Sequence, residues 1–171
     1  YKVTGVQTCA LPISWQKTSS RDVTTAQDRF AMVEAAVADV EGLAAGRLEI
    51  DRGGPSYTAD TLATLAAEHP GAQLFTIVGD DAASGFSSWE RAGDVARMST
   101  LVVVDRPGVQ VALPTEYSWV RVESPRLEVS STDLRARFVD GRPLDYLVTD
   151  PVLRVIAARG LYGTTRVGAR S

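Results

Sequence analysis

Two short apolar runs constrain this chain more than any other feature. Leu74 to Val78 reads LFTIV and Leu101 to Val104 reads LVVV. A continuous run of that length is too short for a helix and predicts a strand covered on both faces. Each run stops at a polar turn, Gly79-Asp80-Asp81 after the first and Asp105-Arg106-Pro107-Gly108 after the second. A helix around 88–97 fits between them. Strand, helix and strand in that order form a βαβ unit, so the expected fold class is α/β with a mostly parallel sheet.

The rest of the chain continues the alternation. Thr24 and Thr25 are N-cap residues with Gln27 and Asp28 three positions on, as in a capping box, and Phe30, Val33, Val37 and Val40 recur at helical spacing. This predicts an amphipathic helix over 25–40. Leu48 and Ile50 predict a short strand ending at Asp51-Arg52-Gly53-Gly54. A helix follows from about Thr58 to Glu68, with Leu62 and Leu65 inward and His69-Pro70-Gly71 ending it. Ser118 to Val122 reads as a further strand. Ser130-Ser131-Thr132 caps a helix near 132–139. Asp150 is the expected N-cap of a last helix, with Pro151 at its first position, Val152, Val155 and Ile156 on its apolar face, and Gly160 closing it.

Composition narrows the function classes. The 171 residues carry 44% hydrophobic and 23% charged residues, which excludes a mainly disordered chain, a collagen and a coiled coil. The formal net charge of −3 gives no global basic excess for nucleic acid. No apolar run approaches the ~20 residues that span a bilayer. One cysteine, Cys9, gives no internal disulfide framework, as expected in a reducing cytoplasm. The one histidine, His69, leaves no site that needs two, and its place before a proline makes it a surface residue.

The first residues read differently from the rest. Residues 3–13, VTGVQTCALPI, have no strand alternation, helical period or charge, and they match one reading frame of a common sequencing-library adapter. The alternative is a genuine short strand between Val3 and Ile13. The expected organisation is therefore an artefactual leader over 1–14, one domain over 15–163 that is incomplete at its front, and a tail over 164–171.

Ligands of open parallel sheets bind beyond the carboxyl ends of the strands. At the first such end, Gly79 lets a ligand approach the backbone, and an aspartate can accept from ribose hydroxyls or hold Mg²⁺. The same residues also suit a plain turn and N-cap. At the second end, Arg106 can meet a phosphate or stack on a base, or stand solvated in a turn. The strongest local signal is Val129-Ser130-Ser131-Thr132-Asp133-Leu134-Arg135. Hydroxyls and backbone N–H groups converge there at a helix N-terminus, where the dipole favours an anion, and Arg135 lies one turn in. Phosphate is the favoured ligand, because three hydroxyl residues exceed what a cap needs. Trp89 could stack on an aromatic ligand or serve the core. Trp15-Gln16-Lys17 offers a ring and a cation, or a frayed end. Pro55-Ser56-Tyr57-Thr58 starts a helix, and its polar groups could be caps only.

Taken in order, these pieces resemble the bacterial nicotinate-nucleotide adenylyltransferases of actinobacterial type. Pro55 to Leu62 resembles their PSYTxxTL segment, Gly79-Asp80-Asp81 their GxD turn, and Trp89 the tryptophan that follows. Arg106-Pro107-Gly108 resembles their RPG, and Val129 to Arg135 their ISxTxxR signature with valine for isoleucine. Gly160-Leu161-Tyr162 fits their closing GLY, and Trp15-Gln16-Lys17 their substrate-loop WQK. The resemblance covers about 15–163 and implies a Rossmann-like nucleotidyltransferase fold with helices on both faces of the sheet. It also implies adenylyl transfer from ATP to nicotinate mononucleotide, with Mg²⁺ accompanying ATP, in a cytoplasmic enzyme of NAD biosynthesis. Partners would be these small molecules, with no nucleic acid and no membrane, and a homo-oligomer is compatible.

Carried over, Ser130, Ser131, Thr132 and Arg135 would hold ATP phosphates, Gly79 and Asp81 the ribose side, and Arg106 the adenosine. Trp89 would stack on the nicotinate ring, Tyr57 and Thr58 would meet its carboxylate, and Lys17 would approach a phosphate. The family's GGTFDPxHxGH motif, with its two catalytic histidines, is absent from these residues. The expectation is that the first strand, the first helix and most of the second strand are missing. No catalytic residue is then assigned within this chain, no protein-built metal site is expected, and the fragment is expected to be inactive and to fold poorly. Competing readings are a non-catalytic nucleotide-binding module and an adenylyltransferase for nicotinamide mononucleotide or pantetheine phosphate. A polymerase-type metal motif at Gly79-Asp80-Asp81 fits poorly, because a helix and not a second hairpin strand follows.

Overall fold

The computed structural model describes residues 6–9, 24–105, 111–125 and 129–164, with backbone alone for 6–9. The chain divides into two compact units, one of residues 1–55 with 128–171 and one of residues 56–127.

The continuous unit holds the two apolar runs. Its elements are α3 (Thr58–Glu68), β3 (Phe75–Gly79), α4 (Asp80–Ser84), a 3₁₀ turn (Phe86–Ser88), α5 (Ala92–Met98), β4 (Thr100–Asp105) and β5 (Trp119–Glu123); the numbering counts two earlier helices and two earlier strands given below. The strands form a parallel sheet in the order β3-β4-β5, with Ile77, Val102 and Val120 in register. Side chains in register share a face. On the face of Thr76, Leu101 and Trp119 lie Ala59 and Leu62 of α3 and Ala92 and Val95 of α5, joined by Phe86 in one buried cluster. Thr76 is polar yet buried, and its hydroxyl bonds that of Ser99 at 2.6 Å.

β4 is the central strand, and Leu101, Val102 and Val103 are all buried, as a two-sided strand requires. β3 is different. Phe75 and Ile77 are 52% and 56% exposed, so the expectation that this strand is covered on both faces does not hold. It is an edge strand of its sheet, and its outer face keeps contact with solvent. The expected helix over 88–97 also divides, into the 3₁₀ turn and α5, with Trp89 between them.

The other unit is assembled from both ends of the chain. It contains β1 (Val6–Cys9), α1 (Ala26–Val37), β2 (Leu43–Gly46), α2 (Leu48–Arg52), α6 (Ser131–Asp140) and α7 (Asp150–Arg159). β1 and β2 pair in parallel, Val6 opposite Leu43 and Cys9 opposite Gly46. The strand expected at Leu48 and Ile50 is instead α2, and the strand lies just before it. Two apolar residues at a spacing of two are too few to define a period. The helix gains an Arg47–Asp51 pair at 3.3 Å, one turn apart, and buries Glu49. α1 starts as expected, with Thr25 as its cap: Thr25 Oγ1 accepts from the Asp28 N–H at 3.1 Å and donates to Asp28 Oδ2 at 2.7 Å. It ends at Val37, short of the expected Val40, which is exposed in the turn that follows. α1 packs on α7, and Arg159 reaches back to Asp28 at 2.6 Å. Thr149, not Asp150, is the N-cap residue of α7, and Asp150 occupies its first turn. Among the described residues no helix is long and apolar enough to cross a membrane.

Candidate functional site

The carboxyl end of β3 carries the first group of candidate residues. Gly79 is extended at φ −84° and ψ 170°, so its conformation does not require glycine. A Cβ built there would meet nothing within 4 Å. The space beside it is open, which suits a ligand lying against the backbone. Asp81 is exposed in the first turn of α4. Its neighbour Asp80 is 5% exposed, and its Oδ1 has no hydrogen-bond partner among the described residues. Sequence reasoning could not separate these twin aspartates, because one turn of helix decides which of them points inward.

β4 ends at Asp105, in register with Glu123 of β5. Asp105 is buried and paired with Arg121, whose Nη1 donates to both carboxylate oxygens at 2.8 and 2.9 Å. Arg121 Nη2 donates to the Val111 carbonyl at 3.0 Å. One guanidinium thus holds the residues on either side of 106–110. The sequence carried no signal for it, since the partners lie 16 and 10 residues away. Arg106 and Lys17, both candidate ligand contacts, lie outside the described residues.

Tyr57, Thr58 and Trp89 lie in the same unit. Tyr57 is the N-cap residue of α3 and caps it with no side-chain bond; Thr58 is the first helical residue. Both are half-buried. Ala59, next along, belongs to the buried cluster against which Trp89 packs. The Trp89 ring lies 5.2 Å from that of Phe86 at an interplanar angle of 49° and remains partly exposed. Trp89 is therefore a core neighbour and still has surface to offer. Arg91, two residues on, is ion-paired with Asp60 in the first turn of α3.

α6 carries the candidate anion-binding residues. Ser130 is its N-cap, and its Oγ accepts from the Asp133 N–H at 3.1 Å. A serine hydroxyl that accepts one bond still has its proton to donate. Ser131 and Thr132 are exposed in the first turn. Asp133 places a negative charge there, and its carboxyl lies below the usual range, chiefly through the hydrogen bond from Arg137. Arg137 at 2.7 Å and Arg142 at 3.3 Å neutralise it. Arg135, half-buried, has no carboxylate partner among the described residues, so its charge is available to a ligand. A helix N-terminus, donor hydroxyls and an uncommitted arginine suit a polyphosphate.

The described residues contain no group of three or more His, Cys, Asp or Glu able to hold a metal ion. The exposed Asp81 offers a carboxylate of the kind that meets a Mg²⁺ arriving on phosphates. A cavity of about 540 Å³, lined in part by Arg97, Thr100, Glu116, Tyr117 and Trp119, opens at the amino ends of β4 and β5. That is the end of the sheet opposite to Gly79 and Asp105.

Residues 5–137 match the family described as cytidylyltransferase-like. The chain is 41% identical over 162 residues to the probable nicotinate-nucleotide adenylyltransferase of Corynebacterium kroppenstedtii, covering 92% of this chain and 76% of that protein. It is 42% identical over 151 residues to the protein of the same name from Streptomyces coelicolor, covering 86% and 79%. It is likewise 42% identical to the one from Saccharopolyspora erythraea, covering 86% and 70%. Among solved structures, the Plasmodium falciparum nicotinic acid mononucleotide adenylyltransferase complexed with NaAD superposes with a TM-score of 0.72 at 14% identity, covering 95% of this chain and 84% of that one. The same Plasmodium protein complexed with APC gives a TM-score of 0.70. At that identity the likeness establishes the fold, an α/β Rossmann-like arrangement of a parallel sheet with helices.

Proposed function

The chain belongs to the nicotinate-nucleotide adenylyltransferase family, and from that premise we propose that its chemistry is adenylyl transfer from ATP to nicotinate mononucleotide in NAD biosynthesis. The observation that carries this is an identity of about 40% to relatives of that name over most of both chains. In this reaction a phosphate oxygen of the mononucleotide attacks the α-phosphorus of ATP in line. The bond from that phosphorus to the bridging oxygen breaks, and pyrophosphate leaves with the electron pair. Such chemistry is accomplished by positioning and by stabilising charge.

Each candidate residue has a place in this reading. Ser130, Ser131, Thr132 and Arg135 receive the ATP phosphates at the N-terminus of α6, where dipole and guanidinium stabilise the leaving pyrophosphate. Gly79 and Asp81 lie along the ribose, and Arg106 beside the adenosine. Trp89 stacks on the nicotinate ring, Tyr57 and Thr58 meet its carboxylate, and Lys17 contacts a phosphate. Mg²⁺ enters as the ATP chelate and supplies charge neutralisation. The setting is the cytoplasm, in keeping with small, charged, soluble substrates.

We further propose that these 171 residues bind both substrates and turn them over poorly. Their one histidine, His69, is exposed at the end of α3 and cannot replace a pair. Pyrophosphate release from ATP and nicotinate mononucleotide, measured beside calorimetric titration of each, tests both statements. The expected outcome is binding of ATP and nicotinate mononucleotide without turnover. Turnover near 1 per second or faster, the ordinary range of enzymes, would refute the second statement. Tighter binding of nicotinamide mononucleotide or pantetheine phosphate would replace the substrate assigned in the first.

A further inference from the structure

Arg91 occupies a position where its own residue type is unfavourable. Its backbone is left-handed, with φ 55° and ψ 41°, a conformation in which a non-glycine residue is strained. It is also the N-cap residue of α5, and its carbonyl accepts from the N–H groups of Asp94 at 2.8 Å and Val95 at 3.1 Å. Its side chain provides no cap bond. Asparagine would satisfy both demands better, since it tolerates the left-handed region and caps helices. What arginine adds is reach: its guanidinium pairs with Asp60 across to α3.

The two ends of that pair are informative. Asp60 stands two residues after Thr58, in the first turn of α3. Arg91 stands two residues after Trp89. The Trp89 ring is already held on one side by Phe86 at 5.2 Å, and Ala92 beyond it is buried in the same cluster. The ion pair therefore ties the segment bearing the ring-stacking candidate to the helix start bearing the carboxylate-binding candidates. We infer that Arg91 is a positioning residue for the pyridine ring of the mononucleotide, setting the spacing between Trp89 and Tyr57-Thr58 through Asp60. This rests on the reading of those three residues as mononucleotide contacts. Both partners are partly exposed, which limits the effect to that of a surface ion pair.

The test is Arg91→Asn in the full chain, with nicotinate mononucleotide and ribose 5-phosphate titrated in parallel so that the contribution of the ring is isolated. In the parent chain the ring-bearing ligand binds more tightly. In Arg91→Asn that advantage falls about threefold while ribose 5-phosphate binding and ATP binding are unchanged. The melting temperature holds or rises, because the strained backbone is relieved. Asp60→Asn gives the same loss, the double variant loses no more than either single one, and Arg91→Lys recovers part of it. An undiminished ring advantage in Arg91→Asn overturns the inference. So does an equal loss for all three ligands with a lower melting temperature, which marks a purely structural pair. A parent chain that binds nicotinate mononucleotide no better than ribose 5-phosphate overturns the underlying assignment of Trp89, and the inference with it.

Discussion

Arg135 illustrates what a single residue contributes. It is a half-buried cation one turn into α6 with no carboxylate partner among the described residues, while Arg137 and Arg142 are committed to Asp133. Arg135→Ala should weaken ATP binding about tenfold, the value of one charge-assisted contact to phosphate, with little change in melting temperature. Titration of ATP into the variant measures it, and an unchanged affinity would remove Arg135 from the site. Sequence reasoning saw the hydroxyls and the arginine here because their offsets are local. It could not see that Asp80 turns inward and Asp81 outward. Those outcomes depend on the direction of a side chain relative to a core that no local spacing describes.

At the scale of elements, helix ends are where local chemistry and tertiary packing meet. Thr25 and Asp28 cap α1 within four residues, and that much is legible in the sequence. Arg159 then joins the same carboxylate from the end of α7, 131 residues away, which is not. Asp28 lies below its ordinary value of 3.8, first through the Thr25 hydroxyl and then through Arg159. A carboxyl whose value is depressed in the folded state adds stability above its unfolded value and loses it as pH falls through the folded one. The melting temperature should therefore be flat between about pH 7 and 5 from this source and decline below about pH 4. Asp28→Asn should melt below the parent at pH 7, with a smaller gap at pH 3. Thermal melts across that range check it, and a constant gap would detach Asp28 from the acid limb. α2 shows the converse: Leu48 and Ile50 suit a strand or a helix equally, and the Arg47–Asp51 pair with the buried Glu49 accompanies the helix.

For the molecule as a whole, the sheet face of Phe75, Ile77, Val120 and Val122 is the exposed apolar surface of the continuous unit. A contiguous apolar face on solvent favours association. Sedimentation at increasing concentration should show self-association that Ile77→Thr with Val122→Thr reduces, and monodisperse behaviour of the parent at high concentration would contradict it. The sequence by itself determined the α/β alternation, the parallel pairing of the two apolar runs, most helix ends and the family. Each of these follows from periodicity, capping or motif order within a short stretch of chain. Only the tertiary structure decided that β4 is central and β3 an edge, that Arg121 bridges Asp105 and Val111, and that Arg91 spans to Asp60. The physical reason is the same throughout: which face of a strand is covered, and which charge finds a partner, is set by residues far away in the chain that folding alone brings within a few ångströms.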